Sequence, residues 1–305
     1  MAADKYCTNQ LLDRAGIPVP KAISLHAHEF AEGFLDEKIK GFNFPLVIKP
    51  LLNGSHGIDV LCNIETKAQL NVFLAKWFKR HNLLIIEEFH GGLKSYRVLV
   101  FNKRVIGVVR RYPASVVGDG KHTIKELVEL TNQQRAIDNP VLGPIVLDDE
   151  ETQIRLHALG LDIDNIPTAG VRVVLCYTSN AIRGGSFASK GTEICKENRQ
   201  LMIRAAAILN LNLAGIDIEC TDINIPFSAS RGVVIEVNHR PNIRIHEFPM
   251  SGEPNIVTRK ILRSLIYRHP ISYLYAFFLN NPTAFYLKSA MMVGIVAFFK
   301  RVFTV

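Results

Sequence analysis

The chain has 305 residues, of which 48% are hydrophobic and 21% charged, a composition typical of a globular protein with a sizeable core. Its net charge of +8 comes almost wholly from the C-terminal end, because seven lysines and arginines and no acid follow Glu253, so that residues 1–253 carry only about +1. A nearly neutral body excludes nucleic-acid binding through a broad basic surface, and we expect small molecules as partners.

The cysteines and the first residues of the chain bear on its cellular compartment. Five cysteines form an odd set without a Cys-x-x-Cys pair, which argues against both a disulfide framework and a zinc site. The first residues, from Met1 to Lys5, contain no apolar signal segment. We therefore expect a cytoplasmic protein, with a peripheral position at the inner membrane face as a second hypothesis.

The first 89 residues alternate between helical and strand patterns. Apolar spacing predicts helices over 5–16, 28–39 and 67–81, and apolar runs predict strands over 44–50 and 83–89. The strand ending at Lys49 leads into a glycine-bearing loop at residues 53–57. A lysine beside such a loop suits polyphosphate, because backbone N–H groups and a compact ammonium can both approach the oxygens. The loop lacks the Gly-x-x-x-x-Gly-Lys-Ser/Thr pattern, so an ordinary turn stays open as the alternative.

The middle of the chain reads as a hairpin followed by mixed elements. Strands are predicted over 96–101, 105–111 and 171–176, a turn over 118–120, a loop over 179–186, and helices over 124–134 and 196–209, with a less regular linker reaching Leu147. Arg97 and Arg110 lie on the hairpin strands. From the residues alone, these arginines could line a binding site or a solvated sheet face.

Two later strands carry polar side chains where apolar ones are expected. Asp217 interrupts one apolar strand, and Glu236 and Asn238 interrupt the next, two residues apart and therefore on the same face. Three oxygen-bearing side chains on neighbouring strands suit Mg²⁺, which prefers hard oxygen ligands. The alternative is that each is a strand-end residue satisfied by the backbone or by an arginine such as Arg240.

In chain order, these motifs resemble those of an ATP-grasp ligase. The resemblance covers roughly residues 4–266 and rests on Lys5 and on residues 47–50, 86–89, 96–98, 110–111, 118–120, 214–217 and 235–238. The run RRYPASVVGDGKHTI at residues 110–124 is similar to the ATP-grasp module of cyanophycin synthetases and of bifunctional glutamate–cysteine ligase/glutathione synthetases. The resemblance implies an α+β ATP-grasp fold whose lobes, residues 1–89 and 90–266, clasp the nucleotide, followed by a helical tail over 267–305.

The resemblance also implies roles for particular residues. Lys5 and Lys49 would contact the ATP phosphates, which the loop containing Asn53, Gly54, Ser55 and Gly57 would cover. The backbone of Glu87, Glu88 and Phe89 would form the hinge that reads adenine. Asp217, Glu236 and Asn238 would hold two Mg²⁺ ions, or Mn²⁺ in their place. Phosphate, acyl phosphate or substrate carboxylate would be held by Arg97, Arg110, Asn180, Arg183 and Arg244.

The implied activity is ATP-dependent joining of a carboxylate to an amine on an amino acid or short peptide. Two positions depart from the pattern: Ser95 stands where relatives have an acid that holds the ribose, and His239, Arg240 and Asn242 stand where relatives have small residues. A phosphotransferase and a catalytically weak nucleotide-binding scaffold, associated with a membrane through its tail, therefore stay open. Relatives carry a large preceding domain, so we expect another chain to complete the pocket and the protein to form a homo-oligomer.

The C-terminal segment differs from the rest in composition. Between Tyr267 and Phe303 lie ten of the 26 aromatic residues of the chain. The longest apolar run, residues 284–299, contains Lys288 and is shorter than the ~20 residues needed to cross a bilayer. One interpretation is a helical hairpin packed on protein, and the other is an aromatic, basic anchor lying on an acidic membrane surface.

Overall fold

The computed structural model describes residues 4–51, 60–138, 143–280 and 283–303. The chain divides into two compact units, one ending at Asn255 and one beginning at Ile256. The first unit mixes helices with antiparallel sheets, which confirms the predicted α+β class.

A four-stranded antiparallel sheet forms the N-terminal part of the first unit. Its strands β1 (Ala22–His26), β2 (Leu46–Pro50), β3 (Leu61–Ile64) and β4 (Leu83–Glu88) lie in the order β1-β4-β2-β3. The helices of this part are α1 (Lys5–Arg14), α2 (Ala27–Ala31), α3 (Leu35–Lys38) and α4 (Lys67–Trp77). Alternate strand residues such as Ile48 and Ile86 join Leu70 and Leu74 of α4 in a buried core, which leaves the other sheet face to Lys49 and its neighbours.

A five-stranded antiparallel sheet follows, in the order β11-β10-β5-β6-β9. Its strands are β5 (Lys94–Phe101), β6 (Arg104–Tyr112), β9 (Ser186–Ser189), β10 (Leu213–Cys220) and β11 (Val233–Asn238). One face packs against α7 (Lys196–Ile208), with Val98, Ile216 and Met202 buried together. The short strands β7 (Ser115–Val117) and β8 (Arg172–Val174) pair separately beside α5 (Ile124–Asp138) and α6 (Glu150–Ala158), and α8 (Arg244–Glu247) follows β11.

Several predicted elements need correction. The single helix predicted over 28–39 was wrong: α2 and α3 are separate, and Gly33 between them has a φ of +85°, a left-handed value that interrupts a helix. Strand β1, helix α6 and strand β9 were not predicted. The apolar pattern of α6 and β9 is too weak to predict them. They are stabilised by contacts with segments that are distant in the sequence.

The second unit contains three helices, α9 (Val257–Arg268), α10 (Pro270–Asn280) and α11 (Thr283–Phe303). Among the described residues, none of the helices combines the length and the apolarity that a membrane span requires.

Candidate active site

The candidate site lies on the face of the five-stranded sheet opposite its core. Asp217 on β10 is directly opposite Arg97 on β5 and Glu236 on β11, so the three form one row across the sheet. In the next row, Glu219 is opposite Ser95, which is in turn opposite Arg111 on β6. Because side chains of directly paired residues share a face, two rows of charged and polar groups converge here.

A β-bulge places the polar side chains of β11, Glu236 and Asn238, on this face. Asp217 pairs with Glu236, but the next residue, Ile218, pairs with Val234, so Ile235 is the extra residue. Without the bulge, Val234 and Glu236 would point to the same side. With it, Val234 and Val237 both reach the core while Glu236 and Asn238 point to the candidate site.

Two arginines bind the carboxylate of Asp217. Arg97 donates from Nε and Nη2 to Oδ1 and Oδ2 of Asp217, each at 2.6 Å, and Arg111 Nη1 lies 3.1 Å from Oδ2. Asn238 Nδ2 is 3.5 Å from the same oxygen. Burial alone would raise the pKa of Asp217, but the two guanidinium groups outweigh it and hold the pKa below the ordinary value. Asp217 is therefore an ionised carboxylate in a dry environment.

Ser95 and Glu219 extend this network. The Ser95 hydroxyl accepts a hydrogen bond from Arg111 Nη2 at 3.0 Å. Burial raises the pKa of Glu219 to about 7, although Arg111 opposes the shift. Ser95, where the resemblance leads one to expect an acid, thus sits directly across from an acid on the neighbouring strand.

The lysines predicted to contact phosphate lie near the acids. Lys5, in the first turn of α1, has its Nζ 3.9 Å from Glu236 Oε1. Lys49 on β2 is buried and forms an ion pair with Glu87 on β4 at 2.7 Å. Burial would lower the pKa of Lys49, but Glu87 first and Glu236 next raise it above the ordinary value. Burial lowers the pKa of Lys5, and the charge of Lys49 adds to that effect. Both ammonium groups thus act electrostatically on the same acids.

The predicted hinge residues are partly engaged in the fold. The N–H of Glu88 donates to Lys21 O at 3.0 Å, and that of Phe89 donates to Pro45 O at 2.9 Å. The carboxylate of Glu88 accepts from the backbone N–H of Asn43, and the ring of Phe89 contacts that of Tyr177 edge-on. In this arrangement the N–H groups of Glu88 and Phe89 are not available to read a base.

The remaining predicted residues lie apart from Asp217. Arg110 pairs across the sheet with the buried Tyr96, so it is on the opposite face from Asp217, and its guanidinium stacks on Tyr112. Arg244 is exposed at the start of α8 and lies over Phe248. The side chain of Asn180 caps the turn that follows it, accepting from the N–H of Ile182. Asn53, Gly54, Ser55 and Gly57 lie outside the described residues.

Arg183 belongs to a second buried cluster. Its guanidinium pairs with Asp149 and with Glu151, and Glu151 also accepts hydrogen bonds from Thr178. Burial raises the pKa of Glu151, with Arg183 acting against the shift. The neighbouring Glu150 binds Lys76 and Trp77 of α4. This cluster joins α6 to the N-terminal sheet region, which indicates a positioning role for Arg183.

The donor set on the sheet face fits a hard divalent cation. Among the residues that the structure describes, no three His, Cys, Asp or Glu side chains gather into a metal site by themselves. Here the third oxygen would come from the amide of Asn238, beside the carboxylates of Asp217 and Glu236. Two carboxylates and an amide oxygen suit Mg²⁺, which usually takes its other ligands from water and substrate phosphates. Arg97 and Arg111, however, bind the same Asp217 oxygens and would compete with the cation.

Comparisons with known proteins identify the family to which the chain belongs. The RimK-like ATP-grasp domain matches residues 2–135. Cyanophycin synthetase of Crocosphaera subtropica is 35% identical over 271 residues, which cover 87% of this chain and 30% of that protein. The glutathione biosynthesis bifunctional protein of Listeria welshimeri is 31% identical over 271 residues, which cover 86% and 33%. The chain thus spans about a third of the length of these relatives.

A solved structure supports the same assignment. The crystal structure of a bifunctional glutathione synthetase from Pasteurella multocida superimposes with a TM-score of 0.52 and 26% identity, covering 87% of this chain and 36% of that one. The molecule is therefore an ATP-grasp protein, and the predicted fold is confirmed. More particularly, its homologues include cyanophycin synthetases and bifunctional glutathione synthetases, as the sequence motifs predicted.

Proposed function

We propose that the protein is an ATP-dependent ligase that joins a carboxylate to an amine on an amino acid or short peptide. The observation that supports this function most directly is the convergence of Lys5 and Lys49 with the acids Glu236 and Glu87, beside Asp217. Cations for phosphate oxygens and oxygen ligands for a divalent ion are both needed where a phosphoryl group is transferred.

The chemistry begins with a poor electrophile. A substrate carboxylate oxygen attacks the γ-phosphorus of ATP, and ADP leaves. The amine then attacks the carbonyl carbon of the acyl phosphate and expels phosphate, giving an amide and releasing the proton of the amine. Lys5 and Lys49 would hold phosphate oxygens and offset their charge. A divalent cation held by Asp217, Glu236 and Asn238 would supply further charge neutralisation. Closure of the site would protect the acyl phosphate from water.

Arg97 and Arg111 would have two arrangements in this scheme. Without a cation, both guanidinium groups neutralise Asp217. With a cation at Asp217, the same guanidinium groups would be released towards anionic oxygens of the substrate or nucleotide, where planar donors bind carboxylate and phosphate well. In this proposal Arg111 would have the role that the resemblance implied for Arg110.

An ADP-release screen over pairs of amino acids tests the proposal. We expect ADP formation with Mg²⁺ that depends on both a carboxylate and an amine substrate, and a loss of at least about 100-fold in Asp217→Asn. Asp222→Asn is the matched control, because Asp222 is only partly buried and pairs with Lys94 away from the candidate site. Melting temperatures of both variants separate lost chemistry from lost folding.

Three outcomes would contradict the ligase function. ADP release that ignores the amine would indicate a phosphotransferase. Full activity in Asp217→Asn would remove the proposed site. Binding of Mg·ATP without turnover would favour the nucleotide-binding scaffold, for which the specific observation is that guanidinium groups already contact both oxygens of Asp217.

A further inference from the structure

The second unit exposes an unusual amount of apolar surface. The helical tail, α9 to α11 over residues 257–303, has large hydrophobic side chains at the surface along most of its length. Ile271 is 82% exposed and Tyr286 77%. Large exposed side chains of the last two helices are Ile271, Tyr273, Leu274, Tyr275, Leu279, Phe285, Tyr286, Leu287, Met291, Met292, Val293, Ile295, Val296, Phe298 and Phe299. A soluble monomer rarely leaves so large a contiguous apolar surface in water.

The exposed residues surround α11 instead of forming a stripe. Met291, Met292 and Val293 are consecutive, about 100° apart around the helix, and all three are exposed. A helix that docks on one protein surface needs a single apolar face with a polar face opposite, whereas a helix that is apolar on all sides fits an apolar solvent. This distribution favours lipid over one packed protein partner.

Charge restricts the kind of lipid surface. No acid follows Glu253, and all the charged side chains of the tail are cations: Arg259, Lys260, Arg263, Arg268, Lys288, Lys300 and Arg301. Cationic side chains next to apolar surface favour anionic headgroups, while the ring and hydroxyl of tyrosine suit the boundary between headgroup and hydrocarbon. The exposed tyrosines of the tail, Tyr267, Tyr273, Tyr275 and Tyr286, fit that boundary.

We propose that the helical tail binds an anionic lipid bilayer, with its apolar side chains in contact with lipid and its cations at the headgroups. Helix α11 has 21 residues and is ~31 Å long, with Lys288 inside its apolar run and Lys300 and Arg301 near its end. None of the described helices is long and apolar enough to span a membrane. This proposal does not depend on the ligase function.

Vesicle flotation of the full-length chain tests it. Vesicles of phosphatidylcholine alone are compared with vesicles containing one quarter phosphatidylglycerol, at low and at high salt. We expect the protein to float with the anionic vesicles, and to do so less as salt screens the cations. The double substitution Lys300→Gln/Arg301→Gln should weaken partitioning about 30-fold, because each of the two cations contributes about 1 kcal/mol near an anionic surface and about 1.36 kcal/mol corresponds to ten-fold.

The chain contains a matched control. Lys79 and Arg80 form the same exposed Lys–Arg pair in the first unit, so Lys79→Gln/Arg80→Gln removes the same charge elsewhere and should leave flotation unchanged. The depth of the tail in the bilayer is measured from the fluorescence of a tryptophan introduced by Phe298→Trp. The only native tryptophan, Trp77, is buried, and its emission can be subtracted. We expect blue-shifted emission and quenching by lipid-borne spin labels.

Three results would overturn the proposal. One is recovery of the protein in the lipid-free fraction with anionic vesicles, whatever its oligomeric state. Another is an equal loss of binding in both Lys–Arg double variants, which would indicate attraction by net charge alone. The last is unchanged emission of the added tryptophan on mixing with vesicles.

Discussion

The two large sheets of the first unit use the same alternation of side chains, yet their polar faces differ. In the four-stranded sheet, the face opposite the core carries one closed ion pair, Lys49 with Glu87. In the five-stranded sheet, Arg97 and Arg111 share the acid Asp217, with Glu236 and Glu219 in the same two rows. The first arrangement is a single base with a single acid, whereas in the second two bases bind the same acid.

This difference separates one buried pair, whose partners depend on each other, from a network in which two bases share one acid. Breaking a buried pair costs stability, because one charge is left without its partner. In the shared network, two carboxylates lie beside an amide oxygen, a donor set that suits a hard divalent cation. Substitutions in each sheet should therefore affect different measurements.

Lys49→Met should have the largest effect on stability. It leaves the Glu87 carboxylate buried without its partner, and we expect the free energy of unfolding in urea to fall by about 3–5 kcal/mol. Lys49→Met/Glu87→Leu removes both charges and should recover most of that loss. Mg·ATP binding should be weak in both variants, because the ammonium is absent from both. A double variant as unstable as the single one would show that the pair does not explain the loss.

Arg111→Met should instead change cation binding. It removes one of the two guanidinium groups on Asp217, so Mn²⁺, followed by its electron paramagnetic resonance signal without nucleotide, should bind roughly ten-fold more tightly, a change of about 1.4 kcal/mol. Arg110→Met alters the net charge equally on the opposite face and should leave Mn²⁺ affinity nearly unchanged. Equal changes in the two variants would attribute the effect to net charge and not to competition at Asp217.

Which of Arg110 and Arg111 lies on the same sheet face as Asp217 is a feature that the sequence did not predict. The turn at Asn102 and Lys103 predicts a hairpin whose regular register would place Arg110 opposite Ser95. In the structure, Leu99 pairs with Gly107 while Val100 pairs with Val105, so the extra residue in β6 shifts the register by one. A one-residue shift moves every following side chain to the other face, and the local signal for this bulge is the isolated glycine beside it, Gly107, which does not by itself fix the register.

Other parts of the site could be predicted from the sequence. The polar residues Asp217, Glu236 and Asn238 stand out because they interrupt apolar strands, and antiparallel pairing brings them together. Arg183 does not stand out in this way, since its partners Asp149 and Glu151 lie more than thirty residues earlier and belong to the unpredicted helix α6. Pairing across such distances depends on tertiary packing, which local periodicity does not encode.

The smallest expected effect concerns an ion pair that is exposed to water. This pair is the reference with which the two buried arrangements of charge are compared. Asp119 and His122 are exposed and lie 2.6 Å apart, and Asp119 also accepts hydrogen bonds from two backbone N–H groups. These bonds lower the pKa of Asp119, and its carboxylate raises the pKa of His122. The aspartate contribution to stability is lost as pH falls through its lowered pKa, and the histidine contribution is lost as pH rises through its raised pKa.

Asp119→Asn should therefore return the pKa of His122 towards about 6.5 in an NMR titration of the imidazole proton, with little change in melting temperature, because an ion pair exposed to water contributes little to stability. A shift of His122 in the opposite direction would mean that the carboxylate does not govern its titration. A fall in stability as large as that of Lys49→Met would contradict the wider argument. In that case exposure to water would not be what separates this pair from the buried pair of the four-stranded sheet.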